Sequence, residues 1–177
     1  MLFRPALVLA LIVSPPLLAQ SAMAPARSAD AEVTGQWNQV SKYLARSAAM
    51  VPESSYSYKP VQTVRSFGQL VAHVAGSQMM FCGAALGEKI PAEDDFEKRT
   101  MSKAELVKAL DESNTYCARA YAVPGVQLVG PIDMFGQHWT KGGLLILNAT
   151  HDSEHYGNVV TYMRMMGMVP PSSMPAQ

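Results

Sequence analysis

The stretch TKGGLLILNATHDSEHYGNVVTYMRMM, Thr140 to Met166, decides how the fold is read. Thr140 is an N-cap residue, whose side-chain oxygen can accept from a free backbone N–H of the first helical turn. After it Leu144, Asn148, His151, His155, Val159, Tyr162 and Met166 recur at spacings of three and four, one continuous face of a helix. Gly167 is a left-handed stop just beyond, and Pro170–Pro171 close the element. The spacing predicts a long helix over 140–166 that turns this face into a core.

Working upstream, three more helices carry similar punctuation. Ser102 with Glu105, and Ser66 with Gln69, each fit a capping box, in which the Ser oxygen takes one orphan N–H and the acid or amide reaches back to the cap. The Ser66 helix is apolar on most sides and stops at Gly87; the Ser102 helix ends before Pro124–Gly125. The first helix, from about Ala31 to Met50, places Val33, Trp37, Val40, Leu44 and Ala48 on one stripe and is stopped by Pro52. Between these elements lie a loop over 51–60, a charged connection over 88–100 and a Gly/Pro-containing loop over 123–139. No strand-like alternation of useful length stands out. The expectation is an all-α four-helix bundle.

Cys82 lies 16 residues after Ser66, and Cys117 lies 15 after Ser102. If the second and third helices run parallel, the thiols share a height; in an antiparallel hairpin they fall roughly 15 Å apart along the axis, beyond a disulfide. The 88–100 connection can span about 40 Å, so a parallel pair is permitted. An even pair in an oxidising compartment invites a bridge, and two buried thiols are the alternative.

The chain has 177 residues with 14 basic and 14 acidic side chains, of which only Arg4 lies in the first 26. Arg4, the apolar run Ala6–Val13 and the small residues over 19–26 are laid out as a secretory signal peptide, with cleavage after Ala19 or Ala26. That run falls short of the ~20 residues a membrane span needs. The domain reading is a signal peptide over 1–26, a bundle over 27–171 and a disordered tail over 172–177, in a secreted or periplasmic protein with no stable membrane insertion after processing. Without a basic cluster to neutralise phosphates, a nucleic-acid partner is excluded.

The chemistry rests on histidine. His151 and His155, four apart, share a helix face. His73 stands among Leu70, Val71 and Val74 in the second helix. Imidazoles in an apolar core are costly unless partnered. One divalent metal ion bound at about 2 Å by neutral ring nitrogens removes the cost, and three protein ligands leave an open position for water. His138, in a loop beside Trp139, is read as surface or packing. The string HDSEH also fits H-x-x-E-H, with Glu154 as general base, but only 22 residues follow His155 to supply the acidic ligand such proteases use. Glu154 is the candidate catalytic residue. Asp152 also flanks the ligands, where it could orient them or act as a base, and fits a solvated face better. A non-catalytic bundle, its metal structural or its site a small-ligand pocket, is the competing reading.

HDSEHYGNVVTYMRMMGMVPP, 151–171, and VRSFGQLVAHVAGSQMMFC, 64–82, resemble the last and second helices of the DinB/YfiT-like superfamily. The resemblance implies an up-down-down-up bundle with parallel second and third helices. It implies a metal triad of His73, His151 and His155 holding zinc or nickel, often in a homodimer, and Tyr156 and Arg164 at the pocket edge. Activities in the family imply a metal-dependent hydrolase or a thiol-dependent S-transferase or isomerase acting on a small molecule. An export signal speaks against the thiol chemistry, since reduced thiol cofactors are scarce outside the cytoplasm.

Overall fold

The computed structural model describes residues 28–89 and 95–175, excluding the side chain at 126. The signal peptide expected over 1–26 lies outside the described residues. Four helices, α1 (Ala29–Met50), α2 (Phe67–Leu86), α3 (Lys103–Tyr121) and α4 (Lys141–Met165), form the frame.

Their ends are set by the side chains that the sequence singled out. Ser66 Oγ accepts from the Gln69 N–H at 3.2 Å while the Ser66 N–H donates to Gln69 Oε1 at 2.8 Å. Ser102 and Glu105 repeat the reciprocal pair, and Thr140 Oγ1 accepts from the Gly143 N–H at 3.0 Å. Gly87 ends α2 at φ 75°, and Gly167 follows α4 at φ 74°, a conformation glycine adopts without steric cost.

Contacts between helices fix their directions. Along α2 and α3, Gly68 approaches Leu106, Gln78 bonds Asn114 and Cys82 is bridged to Cys117, so both run the same way. Along α2 and α4 the order reverses: His73 meets His155, and Phe81 meets His151. On α1, Trp37 reaches Gln78 past the middle of α2 and Tyr121 at the end of α3, while Ala49, next to its C-terminus, takes a bond from Lys103 at the start of α3. The order is therefore up-down-down-up, as the family resemblance implies. The core fills the bundle in three parts among the described residues. One holds Leu44, Ala48, Phe67, Val71, Leu110, Val159 and Met163. A second, towards the opposite end, holds Trp37, Cys82, Cys117, Tyr121, Leu145 and Ala149. A third, smaller one joins Met80, Phe81 and Ala84 to Leu144.

Two expectations are corrected. The 123–139 loop contains an antiparallel hairpin, β1 (Pro131–Met134) and β2 (Gln137–Thr140), paired with Ile132 opposite Trp139. Its two-residue turn, Phe135–Gly136, has φ 56° and 70°. That turn ordinarily selects Asn-Gly or Asp-Gly, and strands of four residues give no readable alternation, so the sequence hid it. The all-α four-helix bundle stands, with this small hairpin added between α3 and α4. The tail is also structured further than expected: Pro171–Ser173 form a 3₁₀ turn, and the Ser172 N–H donates to Tyr156 Oη at 2.9 Å.

The Cys82–Cys117 bridge closes a loop of 35 residues between α2 and α3. Reduction should lower stability by about 3–4 kcal/mol through the entropy regained by the unfolded chain. Thermal melts with and without reductant, and of Cys82→Ser/Cys117→Ser, measure this; melts that coincide would show that the bridge contributes nothing.

Candidate metal centre

His73 is placed by the apolar second turn of α2, and His151 and His155 by consecutive turns of α4. Because α2 and α4 run antiparallel in contact, the three rings converge. Nε2 of His73 and Nε2 of His155 each lie 3.1 Å from Nε2 of His151. Among the described residues these three form the group of side chains able to share an ion, with all three ligand atoms within 4.8 Å of one another. Three nitrogens each at about 2 Å from a common centre would stand roughly 3.3 Å apart in tetrahedral geometry, so the donor set fits a divalent ion.

The opposite ring edges are held. His73 Nδ1 donates to Glu97 Oε1 at 2.6 Å, and Glu97 Oε2 accepts from Arg65 Nε at 2.9 Å. The Asn158 amide lies 3.3 Å from His155 Nδ1. A carboxylate on Nδ1 keeps the proton there and presents the Nε2 lone pair inward, the tautomer a metal requires. Burial lowers the His73 pKa, with the Arg65 charge adding to it. Burial, followed by the neighbouring imidazoles, lowers His155 to about 3. Both rings are neutral at physiological pH, so protons compete with a metal only in acid.

The sequence reading of the two acids is reversed. Glu154, the expected general base, is solvent-exposed and stands outside the metal-competent group, whereas Asp152, expected on a solvated face, is fully buried. At about 100° per residue the inward face of α4 is centred on Asn148, Asp152 and Val159, which leaves His151 at its edge and Glu154 on the far side. Among the described residues neither Asp152 oxygen has a hydrogen-bond partner at normal distance. Oδ1 faces His151 Nδ1 across 4.0 Å, and burial pushes the carboxyl pKa up to about 6 against the pull of His151. An orphaned carboxyl behind a ligand histidine suits a metal-loaded state, in which Nδ1 of His151 must carry the proton.

Other expected residues sit elsewhere. Tyr156 stacks on Tyr43 and edges a small cleft between α1 and α4, away from the imidazoles, while Arg164 bonds Ser173 at the C-terminal turn. His138 pairs with Asp133 on the exposed hairpin. The residues missed were Glu97, Arg65, Asn158 and Phe81, whose ring lies 5.6 Å from His151. Asn158 could have been found three residues after His155; Glu97 sits in an aperiodic connection and carried no signal.

A family model for the DinB superfamily matches residues 31–159. The chain belongs to the DinB superfamily. The uncharacterized protein YjoA of Bacillus subtilis strain 168 is 31% identical over 124 residues, 68% of this chain and 79% of YjoA. Its crystal structure superposes with a TM-score of 0.64 at 25% identity, covering 82% of this chain and 99% of that one. YfiT of Bacillus subtilis, described as a probable metal-dependent hydrolase with an unusual four-helix bundle topology, shares the fold at TM-score 0.64 and 15% identity, over 82% and 93% of the two chains. A mycothiol-dependent maleylpyruvate isomerase does so at 0.64 and 14%, over 73% and 60%.

Asp152 gives a prediction with a definite sign. A carboxyl whose folded pKa is raised contributes stability at low pH that is lost as pH rises from its unfolded value through about 6. Asp152→Asn should therefore leave metal-free protein more stable than wild type above that window, by about 1–3 kcal/mol, with the gap closing in acid. Metal affinity should fall about tenfold. Denaturant unfolding across pH with a zinc titration reads both, and a gap that widens in acid would remove the assignment.

Proposed function

We propose that this chain is an exported metal-dependent hydrolase in which His73, His151 and His155 hold one divalent ion, zinc or nickel. The convergence of three imidazoles from two helices, with Nε2 of His73 and of His155 each 3.1 Å from Nε2 of His151, carries the reading. When bound, such an ion supplies Lewis acidity that activates water or polarises a carbonyl.

The chain's own residues do the rest. Glu97 holds the proton on Nδ1 of His73, and Arg65 holds Glu97. His151, the most exposed of the three rings, marks the approach from solvent. Phe81 and the hairpin's Phe135, 6.0 Å apart, make an apolar wall beside it that limits water. In hydrolysis the water oxygen bonds to the acyl carbon, the bond to the leaving group breaks, and the water's proton passes to that group. With Glu154 on the far side of α4, no carboxylate of the HDSEH string is assigned as base.

The signal-peptide-like layout of the N-terminal sequence and the Cys82–Cys117 bridge support an oxidising compartment, periplasmic or extracellular, and count against a reduced-thiol cofactor. Among the described residues no helix is long and apolar enough to cross a membrane. A homodimer remains part of this reading.

Elemental analysis of tag-free protein should find about one equivalent of zinc or nickel, bound as an open three-ligand site. His151→Ala should lose it, and Glu97→Gln should weaken it about 10–100-fold while folding persists. Metal retained by His151→Ala would end the proposal. Loss of cooperative unfolding on chelation, with no exchangeable water in the loaded protein, would favour a structural ion.

A further inference from the structure

A cleft of about 580 Å³ opens onto the imidazole cluster at His155, and its lining includes Lys59, Arg65, Glu97, Asn158 and Tyr162. Its charge is asymmetric. Arg65 spends its Nε on Glu97, while its two terminal nitrogens make no hydrogen bond or ion pair among the described residues. Its side chain is 41% exposed, and Tyr162 Oη donates to its backbone carbonyl at 2.9 Å, which fixes the residue at the cleft wall. Lys59 is half-buried on the same wall and has no carboxylate partner among the described residues. Glu97 offsets one of the two positive charges, so the wall carries a surplus of one, next to imidazoles that are themselves neutral. The opposite approach, at Phe81 and Phe135, is apolar.

A half-buried ammonium and a free guanidinium edge beside a metal centre are desolvated at some cost unless an anion meets them. The planar fork of Arg matches two carboxylate oxygens, and the wall's own surplus of one charge balances the single charge of one carboxylate group. We propose that Lys59 and Arg65 form an anion subsite, so that the substrate is a small carboxylate whose acid group is held there while its scissile bond lies at the three histidines. The proposal rests on the metal-centre reading for the second half of that statement and on the cleft alone for the first.

Calorimetric titration of the zinc-loaded mature chain with succinate, acetate and inorganic phosphate tests it. Succinate, able to reach both the subsite and the centre, should bind at least about tenfold tighter than acetate. Lys59→Gln should erase most of that preference with bound zinc unchanged. Arg65→Lys, which keeps the charge and loses the fork, should reduce it. Equal binding of succinate and acetate, or a preference that survives Lys59→Gln, overturns the subsite; tighter binding of phosphate overturns its carboxylate assignment. Succinate titrated into metal-free protein separates the two readings. If no zinc is taken up but Lys59-dependent binding persists, the metal centre fails and the subsite stands; if zinc binds and succinate shows no dependence on Lys59, the reverse holds.

Discussion

Running α2 and α3 in the same direction obliges the chain between them to return along the bundle, a distance of about 30 Å for a helix of 20 residues. Much follows from that obligation. The returning chain delivers Glu97 to His73 at the level of the second turn of α2. It leaves α2 free to pack antiparallel against α4, which is what brings a histidine of one helix against a pair on the other. A simple up-and-down bundle of the same helices would need no long connection there, and His73 would lose the carboxylate that sets its tautomer.

The centre is held in a state that suits a metal more than it suits the protein by itself. Two depressed histidines and a buried carboxyl with raised pKa each resist the charge they would carry in water. Two imidazole nitrogens each 3.1 Å from a third, and a buried carboxyl with no hydrogen bond among the described residues, are costs to the fold, of the kind that functional sites retain because the surrounding packing over-determines them. Here that packing is the apolar core around Val71, Val159 and Met163 on one side and the Trp37–Tyr121 stack, 4.3 Å between centroids, on the other.

What the sequence disclosed was local. Capping pairs at Ser66–Gln69 and Ser102–Glu105, the Gly stops and the i, i+4 histidines are short-range patterns governed by backbone geometry, and the frame and triad were legible from them. The hairpin escaped because Phe135 adopts a positive φ that its residue type does not announce. Glu97 and Arg65 escaped because their partnership spans 32 residues and lies in segments without periodicity. Asp152 and Glu154 were exchanged for a subtler reason: taking the histidine pair as the centre of the inward face, rather than its edge, rotates the helix by enough to swap which acid is buried.

The two ties on α2 differ in when they can form. Cys82 and Cys117 both precede α4, so sulfur can join α2 to α3 in a chain whose last helix has yet to dock. The imidazole cluster draws on both α2 and α4 and exists only once the bundle has closed. Ion uptake at that cluster would thus act as a checkpoint for a complete molecule, whereas a thiol count cannot distinguish a finished protein from one truncated after the third helix.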